Sequence, residues 1–314
     1  MRILVVGAGA IGGYFGGRLL EAGRDVTFMV RPRRAVQLAD TGLVIRSPAG
    51  DFHCARPPTG TAQDLREPFD LVLLSCKAYD LDDAVRSCAR AVGPATAILP
   101  LLNGMRHLDV LEQRFGEAAI LGGLCNISVA LDERGTINHL NDSHLLVYGE
   151  RARARSPRVA AIEATLAGAR FEPRLSEAIL QDMWEKWVFI AALAGTTCLM
   201  RATVGDIVAA GGAELAAGLL AECASIAAQH GHAPREASRQ RSLALLTAPG
   251  SSLTASMLRD IERGSATEVD HVLGELVRRG GAQADERSLL RAAHLHVATY
   301  ELRRARSGQV PHPA

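Results

Sequence analysis

A short apolar run, "RILVV", opens the chain and leads into Gly7-Ala8-Gly9-Ala10-Ile11-Gly12, and no other segment restricts the fold as strongly. The string matches G-x-G-x-x-G, which on its own carries little weight. Here it follows a strand-like run and opens an amphipathic helix, "AIGGYFGGRLLEAG", that stops at Gly23 before a second strand, "DVTFMV" at 25–30. That context is what a dinucleotide-binding βαβ unit requires. Gly7 permits the tight turn, Gly9 lets a pyrophosphate approach the backbone, and Gly12 lets the helix pack close on the strand. The helix start then presents N–H groups and a positive dipole end to the negative charge. The candidate cofactor contacts are therefore the whole loop: Gly7, Ala8, Gly9, Ala10, Ile11 and Gly12.

The end of the second strand distinguishes the two nicotinamide dinucleotides. An NAD site usually carries Asp or Glu there, for the ribose 2′-hydroxyl. This chain has Arg31, with Arg33 and Arg34 behind it and no acid before Asp40. A guanidinium binds a 2′-phosphate through paired hydrogen bonds, whereas a carboxylate repels it. The expected cofactor is NADP(H).

Further strand-like runs, "LVIRS", "DLVLLSC", "AILPLLN", "AILGGLCNIS" and "HLLVYGE", follow in the first half, with helical patterns between some of them. Near-continuous apolar strands alternating with helices predict a parallel sheet covered on both faces. The stretch at 42–58 reads as a hairpin. After about residue 176 every patterned segment has 3.6-residue apolar spacing, and "SGQVPHPA" reads as a frayed tail. The expected fold class is α/β, a Rossmann-type doubly wound sheet over 1–175 followed by an all-α domain over 176–314, with a helix start near Ser176 and Glu177.

Formal net charge is +1, with 34 acidic residues interspersed among the basic ones, which excludes a polybasic surface for nucleic acid. The six cysteines form no C-x-x-C, and no His or Cys spacing suggests a metal; they read as reduced thiols. "MRILVVGAGA" enters a strand directly, without the features of a signal peptide, and no apolar run approaches the ~18–20 residues that span a bilayer. The expected setting is cytoplasmic, without a membrane partner.

Of 35 Lys plus Arg residues only two are lysines, Lys77 in "LLSCKAYD" and Lys186 in "DMWEKWVFI". A guanidinium stays protonated, while an ammonium can surrender a proton when its surroundings shift its pKa. Lys186, flanked by Trp184 and Trp187, is thus a candidate proton donor, and the tryptophan pair is expected to pack its helix against the sheet domain, with walling of the pocket as the alternative. His230 with His232, and His294 with His296, point to different helix faces and read as solvated.

The glycine loop, Arg31, "CKAY" at 76–79, "NGM" at 103–105, "WEK" at 184–186, "SML" at 256–258 and "TEVD" at 267–270 occur in an order that resembles the ketopantoate reductase (2-dehydropantoate 2-reductase) family. These enzymes reduce a 2-oxo acid to its 2-hydroxy acid with NADPH, on the way to pantothenate and coenzyme A. The resemblance implies that Lys186 is the general acid, and that Lys77 and Glu268 lie on the cofactor side. It also implies that Asn103 contacts both NADPH and substrate, and that Ser256 holds the substrate carboxylate. The helical half would then be the substrate and dimerisation domain, with a homodimer as a possible assembly.

The chain departs from the family pattern where asparagines usually stand. Ile190 and Ala194 occupy the positions four and eight residues after Lys186, and Val204 replaces a third. These positions imply a substrate-binding wall with fewer hydrogen-bonding groups, so that a 2-oxo acid or other carbonyl compound with a more apolar body is the alternative to ketopantoate. A non-catalytic NADP-binding sensor is the alternative outside enzymes, and Lys186 argues against it.

Overall fold

In the computed structural model, which describes residues 1–152, 155–281 and 288–307, the chain divides into two units. The first comprises Met1–Leu102 and His107–Leu180; the second comprises Asn103–Arg106 and the chain from Gln181 onward.

The first unit begins β1 (Arg2–Val6), α1 (Ala10–Glu21), β2 (Asp25–Met29), α2 (Pro32–Thr41), β3 (Leu43–Arg46) and β4 (Phe52–Cys54). It continues β5 (Thr59–Gly60), β6 (Leu71–Leu74), α3 (Leu81–Cys88), β7 (Ala97–Pro100), α4 (Arg106–Phe115, its first residue counted with the second unit), β8 (Gly122–Leu131), β9 (Ile137–Gly149), α5 (Pro157–Leu166) and β10 (Glu172–Leu175). Five strands form a sheet in the order β5-β2-β1-β6-β7, with every pairing parallel. Ile3, Leu4 and Val5 in β1, and all of β6, are buried, which is why these strands read as unbroken apolar runs. The chain leaves β1 for β2 on one side, and β6 returns on the other. The sheet therefore switches direction at the carboxyl end of β1, where open α/β sheets take ligands.

The remaining strands do not extend this sheet. They form a second one, β10-β9-β3-β4, with β8 antiparallel to β9 and β3–β4 as the expected hairpin. The antiparallel β8–β9 pairing follows from the turn at 132–136, where Asp132 N donates to Thr136 O and Gly135 takes φ +83°. A connection that short reverses the chain and leaves no room for a parallel crossover. After Arg31 the chain turns directly into a helix, because Pro32 at the first helical position starts α2.

In the second unit the described residues form α6 (Ile179–Met200, its first two residues counted with the first unit), α7 (Val204–Ala209), α8 (Ala213–Gln229), α9 (Glu236–Leu246), α10 (Ser256–Glu262), a π-turn at Asp270–Gly274, α11 (Glu275–Gly280) and α12 (Leu289–Ser307). All of 191–198 in α6 is buried, and Leu219, Cys223, Leu290 and Val297 of α8 and α12 complete the apolar interior. The tail at 308–314 lies outside the described residues. Among the described residues no helix is long and apolar enough to cross a membrane.

Candidate functional site

In the first unit the glycine loop is held from several directions. Gly7 takes φ +96°, and its N–H donates to Met29 O at 3.0 Å. The Ser75 hydroxyl, at the end of β6, bridges the carbonyls of Val6 and Gly7 at 3.0 and 3.1 Å. A Cβ on Gly12 would run into the Gly7 carbonyl and that same hydroxyl, so glycine alone allows α1 to lie this close. Gly9 is the N-cap of α1, yet no side chain caps the helix and its first turn carries no acid. A Cβ on Gly9 would meet nothing within 4 Å. The helix start thus has uncapped N–H groups beneath open space, a cradle that fits a pyrophosphate.

Two arginines that sequence reasoning treats together behave differently. Arg34 is turned inward, its Nε donating to Ala8 O at 3.0 Å and its Nη2 to Gly135 O at 3.2 Å, and burial lowers its pKa. It braces the loop. Arg31 is exposed at the start of α2 and binds Asp80 and Asp83. Lys77, also exposed, precedes the 3₁₀ turn 78–80 and accepts from Asp80 N at 2.9 Å through its carbonyl. Glycine loop, Arg31 and Lys77 all follow carboxyl ends of parallel strands.

In the second unit Lys186 is half-buried on α6, between two anchored neighbours. Glu185 accepts from Arg235 N at 2.8 Å and from its Nε and Nη2, each at 2.7 Å. Burial pushes the Glu185 carboxyl up, but these bonds outweigh it and hold the group below its ordinary value. Trp187 donates its indole N–H to Val272 O at 2.9 Å inside the π-turn. Trp184 stacks on His230 and His232, with centroids 5.4 and 5.5 Å apart. Both tryptophans therefore make these contacts inside the helical unit, and the first histidine pair is part of that packing instead of simply solvated. Ile190 and Ala194 continue the Lys186 face; Ile190 is half-buried, whereas Ala194 and Val204 are 3% and 0% exposed.

The π-turn connects this helix to other candidate residues. Glu268 O accepts from His271 N and Val272 N at 3.1 and 2.9 Å and so opens the turn. The His271 imidazole is hydrogen-bonded to the Asn103 backbone; burial lowers its pKa, opposed by the charge of Glu268. Gly104, at φ +77°, lies so close to His271 that a Cβ would sit 3.0 Å from its carbonyl oxygen. Ser256 is exposed at the start of α10, and the preceding Ala255 N donates to Thr197 Oγ1 of α6 at 3.3 Å. Asn103, Lys186, Ser256 and Glu268 are thus linked through α6 and the π-turn. Ser75, Thr197 and His271 were missed in the sequence; Ser75 directly precedes "CKAY", the one local signal available.

A parallel sheet with a glycine turn at its switch point, joined to a helical unit, is the construction of a two-unit dinucleotide-dependent oxidoreductase. Residues 3–153 match the family model described as ketopantoate reductase PanE/ApbA, and residues 178–293 match the model of its C-terminal part. A Bacillus subtilis protein described as uncharacterized oxidoreductase YkpB is 38% identical over 302 residues, covering 96% of this chain and 99% of its own. The 2-dehydropantoate 2-reductase of Halobacterium salinarum is 26% identical over 283 residues, 89% of this chain and 92% of that protein. The crystal structure of 2-dehydropantoate 2-reductase from Methylococcus capsulatus superposes with a TM-score of 0.84 at 26% identity, covering 97% of this chain and 98% of that one. The chain belongs to the ketopantoate reductase family and is an NADP-dependent oxidoreductase.

Proposed function

We propose that the chain reduces a 2-oxo acid to its 2-hydroxy acid with NADPH, and that its substrate is 2-dehydropantoate, which gives pantoate for pantothenate synthesis. The observation that carries this reading is Lys186, one of two lysines among 35 basic residues, on a helix fixed by Glu185 and Trp187. The nicotinamide, when bound, supplies a hydride to the keto carbon. Lys186 donates a proton to the carbonyl oxygen as it gains charge, a transfer typically worth ~10²–10⁴-fold. Asn103 and Ser256 orient the substrate, and Lys77 and Glu268 serve the cofactor side. The loop from Gly7 to Gly12 takes the pyrophosphate on uncapped N–H groups, and Arg31 takes the 2′-phosphate. Residues 1–175 would form the NADP-binding domain and 176–314 the substrate and dimerisation domain.

Arg31→Ala is expected to weaken NADPH binding by roughly ten- to a hundred-fold, the size of a lost charge-assisted bond. Fluorescence titration should show a far smaller change for NADH; equal losses for both cofactors would remove Arg31 from the 2′-phosphate.

A second reading, a more apolar 2-oxo acid, is favoured by Ile190, the half-buried member of the three apolar positions. An unpaired buried polar group costs about 1–3 kcal/mol, roughly ten- to a hundred-fold in kcat/KM. On this reading Ile190→Asn raises kcat/KM for ketopantoate relative to 2-oxoisovalerate by about ten-fold. NADPH absorbance against both acids decides: a parent that already prefers ketopantoate by orders of magnitude supports the first reading. Turnover of either acid separates a reductase from a sensor.

A further inference from the structure

Arg31 is not alone at the end of β2. Its Nη2 donates to Asp80 Oδ1 at 2.8 Å and to Asp83 Oδ2 at 3.0 Å. Asp80 closes the 3₁₀ turn after Lys77, and Asp83 lies in the first turn of α3, where Arg86 also approaches it at 3.6 Å. The adjacency comes from the sheet: β2 and β6 both flank β1, so residues following their carboxyl ends meet although 49 positions apart in sequence. The side chains of Arg31 and Asp83 are 62% and 53% exposed, and that of Asp80 is 30% exposed. Such water-exposed pairs exchange readily. Both bonds use one terminal nitrogen of a group with five donors, which leaves donors for a phosphate.

We propose that Asp80 and Asp83 set how strongly the protein selects NADPH over NADH. They supply from the β6 side the acid that β2 lacks. A 2′-phosphate must engage Arg31 against two carboxylates, while a 2′-hydroxyl can donate to one of them. The carboxylates also steady the guanidinium, and that effect acts the other way. An asparagine keeps one acceptor oxygen for Arg31, removes the charge and turns the second oxygen into an N–H donor, so Asp→Asn variants relieve the repulsion of a phosphate while Arg31 keeps an anchor.

The inference rests on Arg31 being the 2′-phosphate residue, and the test tells the two failures apart. Dissociation constants for NADPH and NADH are measured by fluorescence titration on the full-length parent, Asp80→Asn, Asp83→Asn and the double variant, each also in an Arg31→Ala background. Thermal melts accompany them. The double Asn variant is expected to raise the NADH/NADPH ratio of dissociation constants about three- to ten-fold, the scale of exposed charge pairs. That gain should shrink at 0.5 M salt, where screening acts over about 4 Å, and shrink again without Arg31. An unchanged or lower ratio in the Asn variants, with Arg31→Ala still losing NADPH selectively, overturns the inference and leaves the Arg31 reading standing. Arg31→Ala with an unchanged ratio overturns that reading itself.

Discussion

Lys186→Ala is expected to lower kcat by two to four orders of magnitude while NADPH affinity stays within about two-fold, because a proton-transfer contact forms mainly in the transition state. The helix should not notice the change, since Glu185–Arg235 and Trp187–Val272 anchor it from either side of the substituted residue. Single-turnover absorbance separates the chemical step from cofactor binding, and a melting temperature within a few degrees of the parent confirms the fold. Lys186→Arg keeps the charge but holds its proton too tightly to donate it readily. An Arg variant with near-parental kcat would show that the residue supplies charge alone, and an active Ala variant would remove Lys186 from the chemistry.

The second large effect falls on the glycine loop. In Gly12→Ala the new methyl has nowhere to go, because the Gly7 carbonyl, the Ser75 hydroxyl and Val5 already occupy its place. α1 must lift from β1, at an overpacking cost of about 1–3 kcal/mol. The expected result is a melting temperature lower by several degrees together with loss of NADPH binding at any practical concentration. Gly9→Ala is the informative partner. Its methyl meets no neighbour, so the melting temperature should hold while NADPH affinity drops, because the methyl projects into the open approach above the helix start. A Gly9→Ala protein that binds NADPH like the parent would mean that the pyrophosphate lies elsewhere.

What could be read from the sequence was largely what is local. The strand, glycine turn and helix at the N-terminus are consecutive, so their spacing carries the geometry. The helical half announced itself because 3.6-residue spacing persists from α6 through α12. The second sheet was hidden, because β8 and β9 look like further parallel strands unless "DERGT" is read as a tight reversal. Arg31 was legible as a charge at a strand end; its pairing with Asp80 and Asp83 depends on which strands flank β1, and no local pattern encodes that. Where the Trp184 ring packs is not legible in the sequence, because an aromatic on an apolar helix face does not disclose its partner. His230 and His232 supply one, from beyond the end of α8. The link from His271 to the Asn103 backbone is likewise non-local, since 168 residues separate the two.

The π-turn at Asp270–Gly274 has a consequence for how such chains are aligned and redesigned. A π-turn is one residue wider than an α-helical turn, and each α-helical residue advances the helix by about 100°. Deleting a single residue there would restore a regular helix and leave the apolar composition almost unchanged. It would also rotate all of α11 by about that angle, carrying Arg279 away from the faces of Trp184 and Trp187, from whose ring centres it lies 5.7 Å, and Leu276 out of the interior. The turn is therefore a phase marker. An alignment that closes it as a one-residue gap assigns every later position of that helix to the wrong face.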